Sequence, residues 1–183
     1  MFTPKKFNND DLPYWPASAF PDEYFHVVGE IIVRFSQLDR ELDYCIWCLL
    51  DVDVKSGSAL LNKISSTAVK IEMISSLVKL HFNGHDLVFF TEHLGIVKSL
   101  NELRNGFVHD YPISWVPSTK EITYQRHITG WGQNKTHTFN DRNLQEVLDS
   151  LYHELNFFSA FRRNDYSWKT YQPIHVKEVG KAS

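Results

Sequence analysis

Four stretches of this chain repeat apolar residues at intervals of three and four, and that spacing restricts the fold more than any other feature. Phe25, Val28, Ile32, Phe35, Leu42, Ile46 and Leu49 form the first stripe, and Leu61, Ile64, Ala68, Ile71, Ile74 and Leu77 the second. Phe89, Ile96, Leu100, Leu103 and Phe107 form the third, and Leu144, Val147, Leu148, Leu151, Leu155 and Phe158 the fourth. A helix with one apolar stripe must bury it against a neighbour, so four such helices predict a bundle. The first helix should start at Pro21-Asp22-Glu23, where proline and acidic residues suit an N-terminus, and end by Asp51, Asp53 and Gly57. Along it the heptad position after Phe35 is Asp39, with Leu38 carrying the apolar face instead. The second helix is predicted from about Ser58 to His81, closed by Asn83-Gly84, and the third from about Asp86 to just before Pro112. Asn140 or Asp141 should cap the fourth.

Between the third and fourth stripes the period changes. "ISWV" and "EITYQRHI" are rich in β-branched and aromatic residues, and "KTHTF" follows "GWGQN". A β-hairpin with scope for a third strand is expected over residues 113–139. The predicted fold class is therefore all-α dominated: a four-helix up-down bundle with a β-hairpin inserted between helices 3 and 4. Residues 1–21, with Pro4, Pro13, Pro16 and Pro21, read as an irregular arm; residues 22–163 form the bundle; residues 164–183 read as a polar, aromatic-bearing tail.

With 183 residues, 43% of them hydrophobic and 22% charged, the chain can bury a core as one domain. A net charge of −3 argues against a strongly basic nucleic-acid binder but leaves room for a local basic patch. No apolar run reaches the roughly 18–20 residues a bilayer needs, and the first residues lack a signal-peptide apolar segment, so the cytoplasm is the expected compartment and no membrane partner is expected. Cys45 and Cys48 fall inside the first helix, not at a strand-to-helix junction, and two ligands do not make a structural zinc site. Both are expected to be small buried hydrophobes.

The stretch "SLNELRNGFVHDYPI" (residues 99–113) crowds Arg104, Asn105, His109, Asp110 and Tyr111 into the last turns of the third helix. Histidine titrates near neutrality and can take a proton from a 2′-hydroxyl or give one to a leaving oxygen; arginine forks onto phosphate oxygens. Five residues of intact helix place Arg104 and His109 about 140° apart around the axis and about 7.5 Å apart along it. For the two to share a site, either the helix ends between them, near Gly106, or a second copy of the chain completes the site. The competing explanation is structural, since helix C-termini favour Arg and His as donors to the last carbonyls.

The run "LRNGFVHDY" resembles the signature of the HEPN superfamily, in which Arg is followed four to six residues later by His at the end of a bundle helix. Leu100-x-x-Leu103-Arg104 and "FSQLDRELDYCI" in the first helix are similar to stand-alone bacterial members, and the resemblance spans residues 25–160. It implies a metal-independent endoribonuclease without cofactor, acting as a homodimer on RNA, with Arg104 and His109 catalytic and Asn105 in support; a toxin or phage-defence role would follow. Asp39 is expected to orient Arg104 across the bundle. The extended pattern through Tyr111 also resembles HepT-type toxins, which makes Tyr111 a candidate site of modification by a nucleotidyltransferase antitoxin, although such chains are usually shorter and lack the hairpin. The alternatives are a catalytically silent HEPN-like RNA-binding or dimerisation module, and an antitoxin-like partner with an acidic surface.

The other polar groups give weaker signals. His81, His85 and His93 do not assemble a metal site by spacing, and His127 and His137 fall on the hairpin arms. Arg162-Arg163 with Lys169 could guide phosphates but also suit a solvated helix end. Gly130-Trp131-Gly132 lacks the lysine and following helix of a phosphate loop, and reads as a turn with an exposed Trp.

Overall fold

The computed structural model describes residues 20–64, 66–126, 135–164 and 166–174. The described residues are mostly helical, with five α-helices and one small antiparallel sheet among them: α1 (Asp22–Leu50), α2 (Val54–Leu61), α3 (Thr67–His81), α4 (Gly84–His109), β1 (Tyr111–Val116), β2 (Glu121–Arg126), β3 (Lys135–Phe139) and α5 (Asp141–Arg162). A 3-10 turn, Tyr166–Thr170, follows. The expected N-terminal arm and the Gly130-Trp131-Gly132 turn lie outside the described residues.

Helix α1 starts where proline and acid predict: Pro21 is extended, and its carbonyl accepts from Tyr24 N at 3.1 Å. Asp51 closes it in the left-handed region at φ 52°. The axis of the fold is this helix, which packs on α3, α4 and α5 through Ile31, Phe35, Leu38, Leu42 and Ile46.

The predicted second helix is two helices. Asp53 accepts from Lys55 N at 2.8 Å and Ser56 N at 3.0 Å, so α2 begins at Val54 rather than Ser58. The chain then leaves helical geometry between Leu61 and Thr67, with Ser66 extended at φ −90° and ψ 118°. Hydroxyl side chains such as those of Ser66 and Thr67 compete with helical hydrogen bonding, which favours a helix start rather than a helix interior at that point. The redirection seats Gly57 of α2 flat against the Trp47 indole, where a β-carbon would overlap the ring.

The inserted sheet is a three-stranded meander in the order β1-β2-β3. It begins at Tyr111, two residues earlier than predicted, and Asp110 is the whole connection from α4. Register slips between Pro112 and Ser114, a bulge that suits a proline on an edge strand. Ile122, Tyr124 and Phe139 face inward, and Phe107 of α4 meets Tyr124 and Phe139 at ring-centroid distances of 5.7 and 4.8 Å. Asn140 caps α5 in a reciprocal capping box with Asn143.

The expected C-terminal tail is, at its start, part of the core. Trp168 is buried against Phe82, Phe89, Phe90 and Phe161, because the 3-10 turn folds the chain back across α4 and α5. One of the two cysteines also departs from expectation. Cys45 is buried, but Cys48 lies at the surface with its thiol 3.9 Å from the Arg162 carbonyl. Burial pushes the Cys45 thiol well above its ordinary range, as befits a core residue. No helix among the described residues is long and apolar enough to cross a membrane.

Candidate functional site

The last turns of α4 present Asn101, Arg104 and Asn105 at positions i, i+3 and i+4, which share one helix face. That face looks into a cleft of about 350 Å³ whose other walls are Phe35, Ser36 and Asp39 of α1 and Ser66, Thr67 and Ala68 at the start of α3. Apart from Phe35 and Ala68, every lining residue is polar or charged. The break between α2 and α3 creates this cleft, because it sets a helix N-terminus where an unbroken helix would have presented a side.

Arg104 is half-buried. Its guanidinium carbon sits 5.9 Å from the centre of the Phe35 ring, and Nη1 donates to Asn105 Oδ1 at 3.0 Å. The predicted link from Asp39 to Arg104 is replaced by another. Asp39 Oδ1 accepts from Thr67 Oγ1 at 2.7 Å and Oδ2 from Lys70 Nζ at 2.7 Å. Lys70 Nζ also lies 2.7 Å from Asp43 Oδ1, and the lysine side chain is only 5% exposed. Asp39 and Asp43 are one helical turn apart, so they form a two-pronged clamp, and the start of α3 delivers Lys70 into it. Burial pulls the Lys70 ammonium toward its neutral form, but the hydrogen bonds and charges of Asp39 and Asp43 outweigh that and leave its pKa raised. Asp39 thus fixes the walls of the cleft relative to each other, while both it and Arg104 face the same space.

His109 is the last residue of α4 and is exposed. The helix runs unbroken through Gly106, which is buried, so the alternative in which it ends between Arg104 and His109 is excluded for the single chain. His109 does not line the Arg104 cleft. Exposed Val108 stands beside it. Tyr111 opens β1 opposite Gln125, and its side chain lies outside the described part of the structure.

Other candidates have structural partners. Arg162 pairs with Glu41 at 3.1 Å and lies 4.8 Å over the Tyr44 ring; Arg163 donates to Ser159; Lys169 pairs with Asp86. His137 sits on β3 opposite Tyr124, and His127 lies outside the described residues. His81 and His85 are exposed, but His93 is fully buried. Its Nδ1 is 3.0 and 2.9 Å from the two carboxylate oxygens of Glu154, and its Nε2 is 3.0 Å from the Tyr171 carbonyl. A carbonyl only accepts, so Nε2 is the donor to Tyr171. With His153, these residues bring three ligand-type atoms within 4.8 Å of one another. Hydrogen bonds already join them, which makes the group a brace between α4, α5 and the C-terminal turn.

Thr67, Lys70, Ser36 and Asn101 are members of the site that sequence reasoning did not single out. Two signals for them were present: the acid pair Asp39-x-x-x-Asp43 on one helix face, and the polar stripe Asn101, Arg104, Asn105 inside an otherwise apolar period. No family model, no curated protein sequence and no solved structure matches the chain.

Proposed function

We propose that the protein is an endoribonuclease whose site is assembled from two copies of the chain. The observation that carries this reading is the placement of Arg104 in a polar cleft and His109, exposed, on another face of the same unbroken helix end. Two such ends related by a two-fold axis bring the arginine of one copy toward the histidine of the other. In that arrangement His109 takes the proton of a ribose 2′-hydroxyl, the 2′-oxygen attacks phosphorus, and the same imidazolium returns a proton to the departing O5′ leaving group. Arg104, held by Asn105 and Phe35, neutralises charge building on the phosphoryl oxygens. The fragments would be a 2′,3′-cyclic phosphate and a free 5′-hydroxyl. This chemistry requires acid–base groups and a cation, so cleavage should persist in EDTA. His109→Ala should lower the rate about 10²–10⁴-fold without changing the melting temperature. Equal cleavage by wild type and His109→Ala would refute the assignment. A toxin or defence role, with an antitoxin or nucleotidyltransferase acting at Tyr111, fits this reading and rests on the resemblance alone.

The second reading, a silent RNA-binding or dimerisation module, is favoured by the half-burial of Arg104 and its engagement by Asn105. It predicts RNA binding lost in Arg104→Ala with no cleavage by any variant.

A further inference from the structure

The cleft has a ligand preference that follows from unsatisfied donors. Helix α3 is 15 residues long, and its N-cap, Ser66, makes no side-chain capping bond, with no acid in the first turn. Among the described residues its first hydrogen bond of helical type is Lys70 N to Ser66 O at 3.2 Å, and the amide groups of Thr67 and Ala68 have no backbone acceptor there. Asn101, on the opposite wall, is 9% exposed and makes no side-chain hydrogen bond with any described residue. Its carboxamide atoms keep their solvent access through the cleft they line, so a ligand in the cleft can meet them. Arg104 uses one of its five N–H donors on Asn105. Asp39, the one carboxylate among the described residues that line the cleft, has both oxygens engaged by Thr67 and Lys70. Asp39, Asp43, Lys70 and Arg104 sum to zero charge, so attraction here comes from aimed donors and the helix dipole, not net charge.

We infer that this cleft is a phosphate subsite, in which the start of α3, Asn101 and Arg104 together bind the oxyanion of one phosphate of an RNA strand. A small acceptor-rich tetrahedral group answers all three sets of donors, and the volume admits a phosphate with part of its sugar rather than a folded RNA. The inference rests on the proposed function for the identity of the strand. It adds that the phosphate held in one copy's cleft lies away from that copy's His109, so the histidine that acts on it comes from the other copy.

Titration calorimetry with inorganic phosphate, on the full chain, tests the site independently of cleavage. Ala68 is exposed at the second position of α3. Ala68→Glu suits a helix N-terminus, so the melting temperature should hold or rise while phosphate binding falls at least tenfold. Asn101→Ala should weaken it several-fold. A 2′-O-methyl oligonucleotide, which cannot be cleaved, should bind more tightly than phosphate and show the same sensitivity to Ala68→Glu. His109→Ala should retain phosphate binding, which separates failure of the nuclease reading from failure of this one. Absence of phosphate binding by wild type, or binding unchanged in Ala68→Glu, would overturn the subsite. Binding of phosphate but not of the oligonucleotide would overturn its assignment to an RNA strand.

Discussion

Replacing Lys70 by methionine isolates the clamp that sets the cleft's walls. The ammonium lies 2.7 Å from both Asp39 and Asp43, and the lysine side chain is 5% exposed against 29% and 25% for the two acids. Methionine keeps most of the volume and removes the charge, leaving two carboxylates one turn apart on α1 without a counterion. Breaking a fully buried pair by deleting one partner costs about 3–5 kcal/mol; the partial exposure of both acids reduces this to about 2–3 kcal/mol. For a chain of this size that corresponds to a fall in melting temperature of about 4–12 °C. Urea melts of the two proteins read the difference directly. The folded-state pKa of Lys70 is raised above its ordinary 10.5, so the clamp's contribution is complete below that value and is lost as pH rises through the folded one. The stability gap between wild type and Lys70→Met should therefore be constant near neutrality and close above about pH 10.5. A change below about 0.5 kcal/mol at neutral pH, or a gap that does not narrow in alkali, would refute the account of the clamp.

Gly57→Ala forces a β-carbon into the Trp47 ring and should destabilise by about 1–3 kcal/mol, read by thermal melting and by a shift in Trp fluorescence. Trp168→Ala empties a position among Phe82, Phe89, Phe90 and Phe161 and should cost about 3–5 kcal/mol, with hydrogen exchange accelerating first over residues 166–174. If Arg104 and His109 act from different copies, mixing Arg104→Ala with His109→Ala protein should restore about a quarter of wild-type cleavage. Half of randomly formed dimers are mixed, and each of those holds one intact site of two. No recovery on mixing, from two variants that each still dimerise, would count against the composite site.

The helices that were legible in the sequence are those whose ends carry their own chemistry. Pro21-Asp22-Glu23 and Asn140 each fix a terminus by local geometry, and the structure starts α1 and α5 there. The second helix misled because its apolar residues keep helical spacing across the break: Leu61, Ile71 and Ile74 are all buried, yet on two helices. Periodicity reports which residues face the core and is silent about a change of axis. The stop after Leu61 lay in a weaker signal, the hydroxyl-rich run before α3. Trp168 was read as tail for a related reason, since a single aromatic in a polar segment has no period, and its burial depends on a ring cluster drawn from α4, α5 and Phe82.

The site shows the same division. Arg104, Asn105 and His109 stand out because ionisable groups are conspicuous at the end of an apolar helix. Asp39 was conspicuous too, but its partner was not deducible: an acid on a core face needs a cation, and spacing along the chain pointed to Arg104 no more firmly than to any other cation. What decides between them is where α3 begins. An unbroken second helix would have hidden Thr67 and Lys70 in a helix interior; the break brings α3's first turn to Asp39, and the acid then spends its two oxygens on that turn. Arg104 is consequently left with free donors facing a cleft rather than locked to a carboxylate. A guanidinium neutralised at close range would have little left for a phosphate, so the feature that frustrates the simplest sequence expectation is also what leaves the arginine available for a ligand.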